Sequence, residues 1–235
     1  MNKFTVGAII VILAVFGGLF VFSSLNSDNK IDYSNYDSRK VIAASEDNGN
    51  IGDHVRGKAD SEIVVVEYGD MQCEYCASMM PKMTSLHEEY GDRVAFVFRN
   101  YNLSYHQNAR ASSAAVEAAG LQGYFWEMLE AVYTNQSDWN YITDTSKRTD
   151  TFVSIFEQAT SGAGNVEQFK KDLTSTSIQK KIDFDIGLGK RVDTIDATPS
   201  FFVNGEAIEP AGSQDETKAN IAKKIEELLK KAEEK

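Results

Sequence analysis

Cysteine, histidine and proline are all scarce in this chain, whose 235 residues include two cysteines, three histidines and three prolines. Two cysteines exclude a four-cysteine zinc site. A site of two cysteines and two histidines is disfavoured, because the intervals from Cys76 to His87 and from His87 to His106 do not match zinc-finger spacing. The net charge of −11 and the lack of a basic stripe argue against a nucleic-acid partner. We predict neither a metal nor a cofactor.

One long apolar run stands near the N-terminus, from Phe4 to Phe22. About 20 apolar residues suffice to span a bilayer, whereas the apolar region of a cleaved signal peptide usually has about 7–15. We therefore predict that residues 1–25 form a cytoplasmic tip and an uncleaved, single-pass transmembrane anchor. A signal peptide that is removed is the alternative. Lys3 favours a cytoplasmic N-terminus, although the charge asymmetry across the run is weak.

Residues 26–57 are predicted to form a flexible linker, because Asn, Asp, Ser and Gly dominate and no apolar period is sustained. The globular domain is predicted to cover residues 58–235. Its first signals are two β-branched and aromatic runs without alternation, as expected of strands that are buried on both faces, at Ile63–Tyr68 and Val94–Arg99.

Helical spacing dominates the middle of the domain, and strand character returns near its end. The predicted helices cover Cys73–Tyr90, Asn108–Gly120, Gly123–Asn135, Thr145–Ala159, Asn165–Leu173 and Ser177–Val192. A strand follows at Ser200–Gly205, and its Asn204-Gly205 pair is a strong hairpin signal. The capping pattern of Ser213 and Glu216 opens a last helix.

Both cysteines lie in the stretch EYGDMQCEYC, as Cys73 and Cys76. A structural disulfide between them would close a loop of only four residues, which removes little entropy from the unfolded chain. A redox-active pair explains the position of the two cysteines better than a structural disulfide does. Cys73 would follow a buried strand and open a helix, where unpaired backbone N–H groups and the helix dipole stabilise a thiolate. The thiolate is the attacking species in disulfide exchange, and the deeper Cys76 would resolve the mixed disulfide.

Glu67 stands in the apolar strand six residues before Cys73. A carboxylate buried there costs several kcal/mol unless it is paired or protonated. Desolvation would raise its pKa and leave it ready to exchange a proton with the buried Cys76 thiol. The alternative is that the strand twists Glu67 out to solvent.

With these residues the sequence resembles the DsbA-like thiol–disulfide oxidoreductases of the thioredoxin-fold superfamily. The resemblance covers most of residues 57–235. It rests on the strand-borne glutamate, on QCEYC at a helix start, and on Pro81 inside that helix. It also rests on the alanine-rich and QGYFW segments of residues 106–133 and on ATPSFFVNG at residues 197–205. The implied fold is α/β, thioredoxin-like, with an inserted α-helical domain over about residues 104–192, preceded by the transmembrane helix and linker.

The resemblance also implies roles for single residues. Cys73 is the expected nucleophile, Cys76 the resolving thiol and Glu67 the proton relay. Pro199, preceded by Thr198, is the expected cis-proline, whose neighbouring backbone would pair with a substrate strand.

The dipeptide between the cysteines departs from the Pro-His of strongly oxidising members, because it is Glu74-Tyr75. These two residues are predicted to face the substrate. An acidic Glu74 should raise the Cys73 pKa and make the pair less oxidising.

The predicted function is therefore disulfide formation in reduced or unfolded exported proteins, on the extracytoplasmic side of the cell membrane. The resemblance implies that a quinone-linked thiol oxidase in the membrane reoxidises the pair. Two alternatives stay open. One is a reductase or isomerase fed by a membrane electron donor, and the other is an anchored chaperone-like binding module whose thiols are incidental.

Overall fold

The two runs predicted as buried strands lie side by side in a five-stranded sheet of order β1-β3-β2-β4-β5. The structure is a computed structural model that describes residues 31–191 and 195–234. β2 and β3 are parallel, and all other neighbouring strands are antiparallel. Every residue of β2 and β3 is buried, because other elements cover both faces of the sheet. The strands are β1 (His54–Gly57), β2 (Val64–Gly69), β3 (Ala95–Asn100), β4 (Ser200–Val203) and β5 (Glu206–Ile208).

One helix connects the two parallel strands, a group of helices is inserted between β3 and β4, and one helix closes the chain. Pro81 lies inside the first helix. The inserted group matches the predicted helical insertion, so the thioredoxin-like α/β fold with an inserted helical domain is confirmed. The helices are α1 (Glu74–Tyr90), α2 (Ala109–Gly120), α3 (Phe125–Thr134), α4 (Gln136–Trp139), α5 (Thr145–Ala159), α6 (Val166–Asp172), α7 (Thr176–Arg191) and α8 (Gln214–Glu233).

The apolar residues form separate cores on the sheet and in the insertion. Against one face of the sheet, α1 and α8 bury Met79, Leu86, Ile221 and Ile225. The insertion has its own core of aromatic residues, including the stacked pair Phe156 and Phe169, and this core reaches Cys76 at the start of α1. The insertion is therefore packed directly against both cysteines.

Two local predictions near the C-terminus are confirmed. Asn204 and Gly205 both have positive φ, 48° and 80°, as a two-residue type I′ hairpin between β4 and β5 requires. Ser213 caps α8, because its hydroxyl accepts a hydrogen bond from the Glu216 backbone N–H at 3.2 Å.

The prediction that residues 26–57 form a flexible linker is wrong for the residues that are described from Tyr33 onward. These residues belong to the same compact unit as the domain. Ile42 and Ile51 are buried, and β1 adds an antiparallel strand to the edge of the sheet beside β3. The domain therefore begins well before residue 58.

Polar side chains hold this segment in place, which is why its composition resembled that of a linker. The amide of the fully buried Asn48 bonds the Ser45 N–H and the Ala43 carbonyl inside the segment. The buried Arg99 guanidinium donates to the carbonyls of Ser38 and Lys40, each at 2.8 Å. Hydrogen bonds that satisfy its backbone groups thus keep this segment ordered. An ordered segment more often shows a periodic apolar pattern, which this one lacks.

A fully buried set of charges joins this segment to β3 and the insertion. We call Asp53, Arg99, Lys181, Asp185 and Glu117 the buried charge network. Arg99 and Lys181 both contact Asp53, and Lys181 also lies 2.8 Å from Asp185. Asp53, Arg99, Lys181 and Asp185 therefore each have a partner of opposite charge, as buried ions require. Glu117 accepts a hydrogen bond from the Asn100 side-chain amide at 2.6 Å.

Within residues 31–191 and 195–234, no helix has the length and apolar character needed to cross a membrane. The predicted anchor in residues 1–25 lies outside the described residues.

Candidate active site

Cys73 occupies the N-cap position of α1, directly after the loop that follows β2. Its backbone N–H donates to the Asp70 carbonyl at 3.0 Å, which fixes the turn into the helix. The side chain is partly exposed, and its thiol donates to the Thr198 carbonyl oxygen at 3.5 Å. The fold thus brings the first cysteine against the segment around Pro199, 125 residues further along the chain.

Cys76 lies one turn into α1 and is fully buried against the insertion core. Both cysteines are free thiols in this structure. Burial is the largest cause that raises the pKa of Cys76 well above its usual value, and its hydrogen bond with Cys73 raises it further. The two sulfurs therefore differ as a nucleophile and a resolving thiol must differ: one is reachable from solvent and the other is shielded.

The pKa of Cys73 is lowered to about 6. Its hydrogen bond from the Cys76 thiol is the largest cause, and it outweighs the opposing effect of partial burial. The backbone N–H groups of Cys76 and Tyr75 and the Thr198 hydroxyl add to the same effect. Glu74 is exposed and is not among these leading influences. A thiolate at the start of α1 also agrees with the helix dipole.

Glu67 points into the protein rather than to solvent, with 6% of its surface exposed. Burial, followed by the charge of Cys73, raises its pKa to about 8. Its carboxyl group borders a cavity of about 20 Å³, which His87 and Trp126 also line. The described residues contain no partner for His87 Nδ1 or Trp126 Nε1, both of which are buried. The cavity is large enough for about one water molecule.

Replacing Glu67 with glutamine is expected to raise stability relative to wild type by an amount that grows between about pH 4.5 and pH 8. The folded protein keeps Glu67 protonated in this window, whereas the unfolded chain releases the proton, so the titration of Glu67 lowers wild-type stability as pH rises. Glutamine cannot ionise, and the variant should therefore gain about 4 kcal/mol relative to wild type between about pH 4.5 and about pH 8. Denaturant unfolding of the reduced protein across this range measures the difference.

The exposed Glu88→Gln is the matched control and should follow the wild-type curve. A Glu67→Gln curve parallel to wild type would mean that Glu67 ionises normally in the folded protein.

The bond between Thr198 and Pro199 is cis, as the resemblance implies. Pro199 is buried and Thr198 is partly exposed beside Cys73. Cys73, Glu74 and Thr198 share an open groove of about 630 Å³. Tyr75 does not line this groove, because it packs beside the core that α1 and α8 form. The structure therefore brings the predicted site residues together, with Tyr75 facing away from the groove.

Sequence reasoning did not single out Asp70 or its contact with His106, which lines the groove beside Cys73. Asp70 is fully buried and accepts from the backbone N–H groups of Gln72 and Leu103, each at 2.8 Å. It also contacts His106 Nδ1 at 2.9 Å. Its position in the sequence, between a buried strand and the first cysteine, could have indicated a buried carboxylate that needs a partner, because an unpaired carboxylate is costly there.

Across the described ranges, no group of three or more His, Cys, Asp and Glu residues is arranged to hold a metal ion.

The family model described as thioredoxin matches residues 49–223. The chain belongs to the thioredoxin family. Its fold is similar to that of oxidised BdbD from Bacillus subtilis, with a TM-score of 0.62 and 24% identity over 81% of this chain and 99% of BdbD. It is also similar to MdbA, a thiol-disulfide oxidoreductase from Corynebacterium diphtheriae, with a TM-score of 0.57 and 16% identity over 82% of this chain and 99% of MdbA. Membership of the thioredoxin family and the DsbA-like fold that the motifs predicted are therefore confirmed.

Curated relatives of this thioredoxin-family protein carry a different name. It is 31% identical to a Na(+)/H(+) antiporter NhaA 1 of Mycolicibacterium gilvum over 66% of this chain, but over only 24% of the antiporter. A second antiporter, from Herminiimonas arsenicoxydans, is 31% identical over 66% of this chain and 23% of its own length. The chain thus spans about a quarter of these relatives.

Proposed function

We propose that this protein is a membrane-anchored oxidant that introduces disulfides into exported proteins on the extracytoplasmic side. One arrangement carries the proposal. A partly exposed Cys73, stabilised as a thiolate, lies in an open groove beside the cis-proline segment, with the shielded Cys76 behind it. The groove is open and borders both Cys73 and Thr198, so an extended polypeptide can reach the sulfur and pair with backbone beside it.

In the proposed reaction the Cys73–Cys76 disulfide is the oxidant. A substrate thiolate attacks Cys73 Sγ, the bond between the two cysteine sulfurs breaks, and Cys76 leaves with the electron pair. Glu67 is the proposed proton relay, because its raised pKa keeps it protonated near neutral pH and able to protonate the leaving Cys76 sulfur. The second substrate thiolate then attacks the substrate sulfur of the mixed disulfide and releases Cys73 as a thiolate.

The lowered pKa of Cys73 supports the proposed direction of electron flow. Interactions that stabilise the thiolate stabilise the reduced enzyme, and a stable reduced form makes the disulfide a stronger oxidant. The groups that lower the Cys73 pKa are all local to the site, at the start of α1 and at Thr198. They support an oxidase over a reductase, and the exposed Glu74 does not oppose them strongly.

The location and partners rest on the sequence. The apolar run of residues 4–22 is the proposed anchor, and it would hold the domain outside the cytoplasm, where disulfides persist. A quinone-linked thiol oxidase in the membrane is the proposed partner that reoxidises Cys73 and Cys76. Reduced or unfolded exported proteins are the proposed substrates.

Cation transport is not proposed from the antiporter relatives, because this chain spans about a quarter of their length. A reductase or isomerase fed by a membrane donor is the remaining enzymatic alternative. An anchored chaperone-like module is the alternative from another class.

The redox midpoint of the full-length protein tests the direction of electron flow. Equilibration with reduced and oxidised glutathione, followed by alkylation of Cys73 and Cys76, gives the reduced fraction. We expect a midpoint at or above about −180 mV, toward the DsbA end of the scale. A midpoint near about −270 mV, like that of thioredoxin, would instead make the protein a reductase.

A further inference from the structure

A histidine held by a buried carboxylate lies in the same groove as the nucleophile. Asp70 is fully buried, and its carboxylate oxygen Oδ2 is 2.9 Å from His106 Nδ1. The two residues come from different parts of the fold, since Asp70 follows β2 and His106 precedes α2. The redox chemistry described above uses neither side chain.

The hydrogen bonds around Asp70 decide which ring nitrogen of His106 carries the proton. Asp70 already accepts from two backbone N–H groups, those of Gln72 and Leu103. An ionised carboxylate can only accept hydrogen bonds, so His106 Nδ1 must be the donor. In the neutral imidazole the other nitrogen, Nε2, then carries a lone pair and can accept a proton.

His106 Nε2 is available to a molecule in the groove. It has no hydrogen-bond partner in the part of the chain that the structure describes, and it is not sealed from solvent. The His106 side chain is 19% exposed and lines the groove together with Cys73 and Thr198. The ring of the exposed Tyr105 meets the His106 ring edge-on at 4.5 Å, which limits its rotation on the outer side.

We propose that His106, oriented by Asp70, is the general base that deprotonates the incoming substrate thiol. The proposal deepens the proposed function and rests on it. An aspartate that fixes the tautomer of a histidine beside a sulfur or oxygen nucleophile is an established way to make a general base. Here the nucleophile that is activated belongs to the substrate rather than to the enzyme.

The step balances within the groove. The substrate S–H proton passes to His106 Nε2 as the substrate sulfur forms a bond to Cys73 Sγ. The Cys73–Cys76 bond breaks, and Cys76 takes the electron pair and a proton from Glu67. His106 is then an imidazolium and returns its proton to solvent. Asp70 keeps the ring in place and stabilises its positive charge without becoming protonated.

The test compares thiols of different acidity with oxidised full-length wild type and His106→Asn. The asparagine amide can still donate to Asp70 from the position of Nδ1, but it carries no base. The first probe is a peptide with one cysteine of ordinary acidity, and the second is an aromatic thiol that is fully ionised near neutral pH. Mass spectrometry of acid-quenched samples gives the rate at which each forms a mixed disulfide with Cys73.

We expect the variant to slow the peptide reaction about 10-fold near pH 7 and to leave the aromatic thiol within about 2-fold of wild type. A thiol with a pKa of about 8.5 is only about 3% ionised at that pH. A general base can therefore raise the rate of mixed-disulfide formation by at most about 30-fold. The peptide difference should shrink as pH rises past the pKa of the peptide thiol. Ser104→Asn, an exposed position on the same loop, is the control and should match wild type with both probes.

Two results would overturn the inference while leaving the proposed function intact. Equal slowing of both probes would mean that His106 only maintains the shape of the groove, and an unchanged peptide rate would mean that it has no part in the step. A wild-type protein that reacts with neither probe would overturn the proposed function, and this inference with it.

Discussion

Replacing Cys73 with serine is expected to abolish thiol–disulfide exchange, whereas replacing Cys76 with serine should leave a protein that traps its substrates covalently. Cys73 is the sulfur that reaches the groove, so its loss removes both the nucleophile and the attacked atom. Cys76 is fully buried, and its proposed roles are to form the disulfide with Cys73 and to release a mixed disulfide that forms there. Without it, a complex formed at Cys73 has no internal thiol to resolve it.

Non-reducing electrophoresis of each variant after incubation with a disulfide-bonded protein substrate measures the trapping. Bands that appear with Cys76→Ser and collapse on reduction are expected, and the double variant is the matched control that should give none. If Cys73→Ser retained full activity in protecting unfolded chains, the chaperone-like module would be favoured over the redox enzyme. If Cys76→Ser gave no covalent complexes, Cys73 would not be a working nucleophile.

The elements that carry the redox pair were predictable, because the local signals there agree with the tertiary structure. The IVVVEY run forms the buried strand β2, and the helix that it leads into begins at Glu74, with Cys73 as its N-cap. Glu67 faces the interior, as its place in an apolar strand indicated. At these positions the local secondary-structure preference agrees with the tertiary packing, and the structure can therefore be predicted from the sequence.

The ordered N-terminal segment was not predictable by the same reasoning. Its apolar residues are few, and its order comes from long-range contacts such as those that Arg99 makes to the carbonyls of Ser38 and Lys40. Periodicity detects amphipathic faces and cannot detect a segment held by hydrogen bonds to a distant strand. Arg99 stood at the end of a predicted buried strand, and a cation in that position needs a partner that sequence alone does not identify.

The Asp70–His106 pair illustrates a second limit. Each residue alone has an ordinary explanation, Asp70 as a turn residue and His106 as the start of a helical segment. Only the fold places them 2.9 Å apart beside Cys73, across 36 residues of chain. Spacing motifs describe residues on one element, whereas this pair is assembled from two loops at the same end of the sheet.

Replacing Lys181 with methionine is expected to lower the free energy of unfolding by about 3–5 kcal/mol. Lys181 is fully buried in the buried charge network, where its ammonium group contacts Asp53 at 3.1 Å and Asp185 at 2.8 Å. Methionine fills a similar volume but leaves these carboxylates with less positive charge nearby. Removing one partner of a buried ion pair is costly because the remaining charge is neither paired nor hydrated. Denaturant unfolding near neutral pH measures the loss, and the exposed Lys180→Met should change stability by less than about 0.5 kcal/mol.

The pH dependence of that loss separates a charge effect from a packing effect. Burial already raises the pKa of Asp185 to about 6, and Lys181 opposes this rise, so the substitution should raise the pKa further. The folded variant then holds a proton that the unfolded chain releases above its ordinary pKa of 3.8. Its stability should therefore fall as pH rises, and the deficit relative to wild type should be smaller near about pH 5 than near about pH 8. A deficit of the same size at both pH values would mean that the lost free energy of unfolding comes from packing. The Lys181 side chain would then stabilise the protein by filling space rather than by its charge.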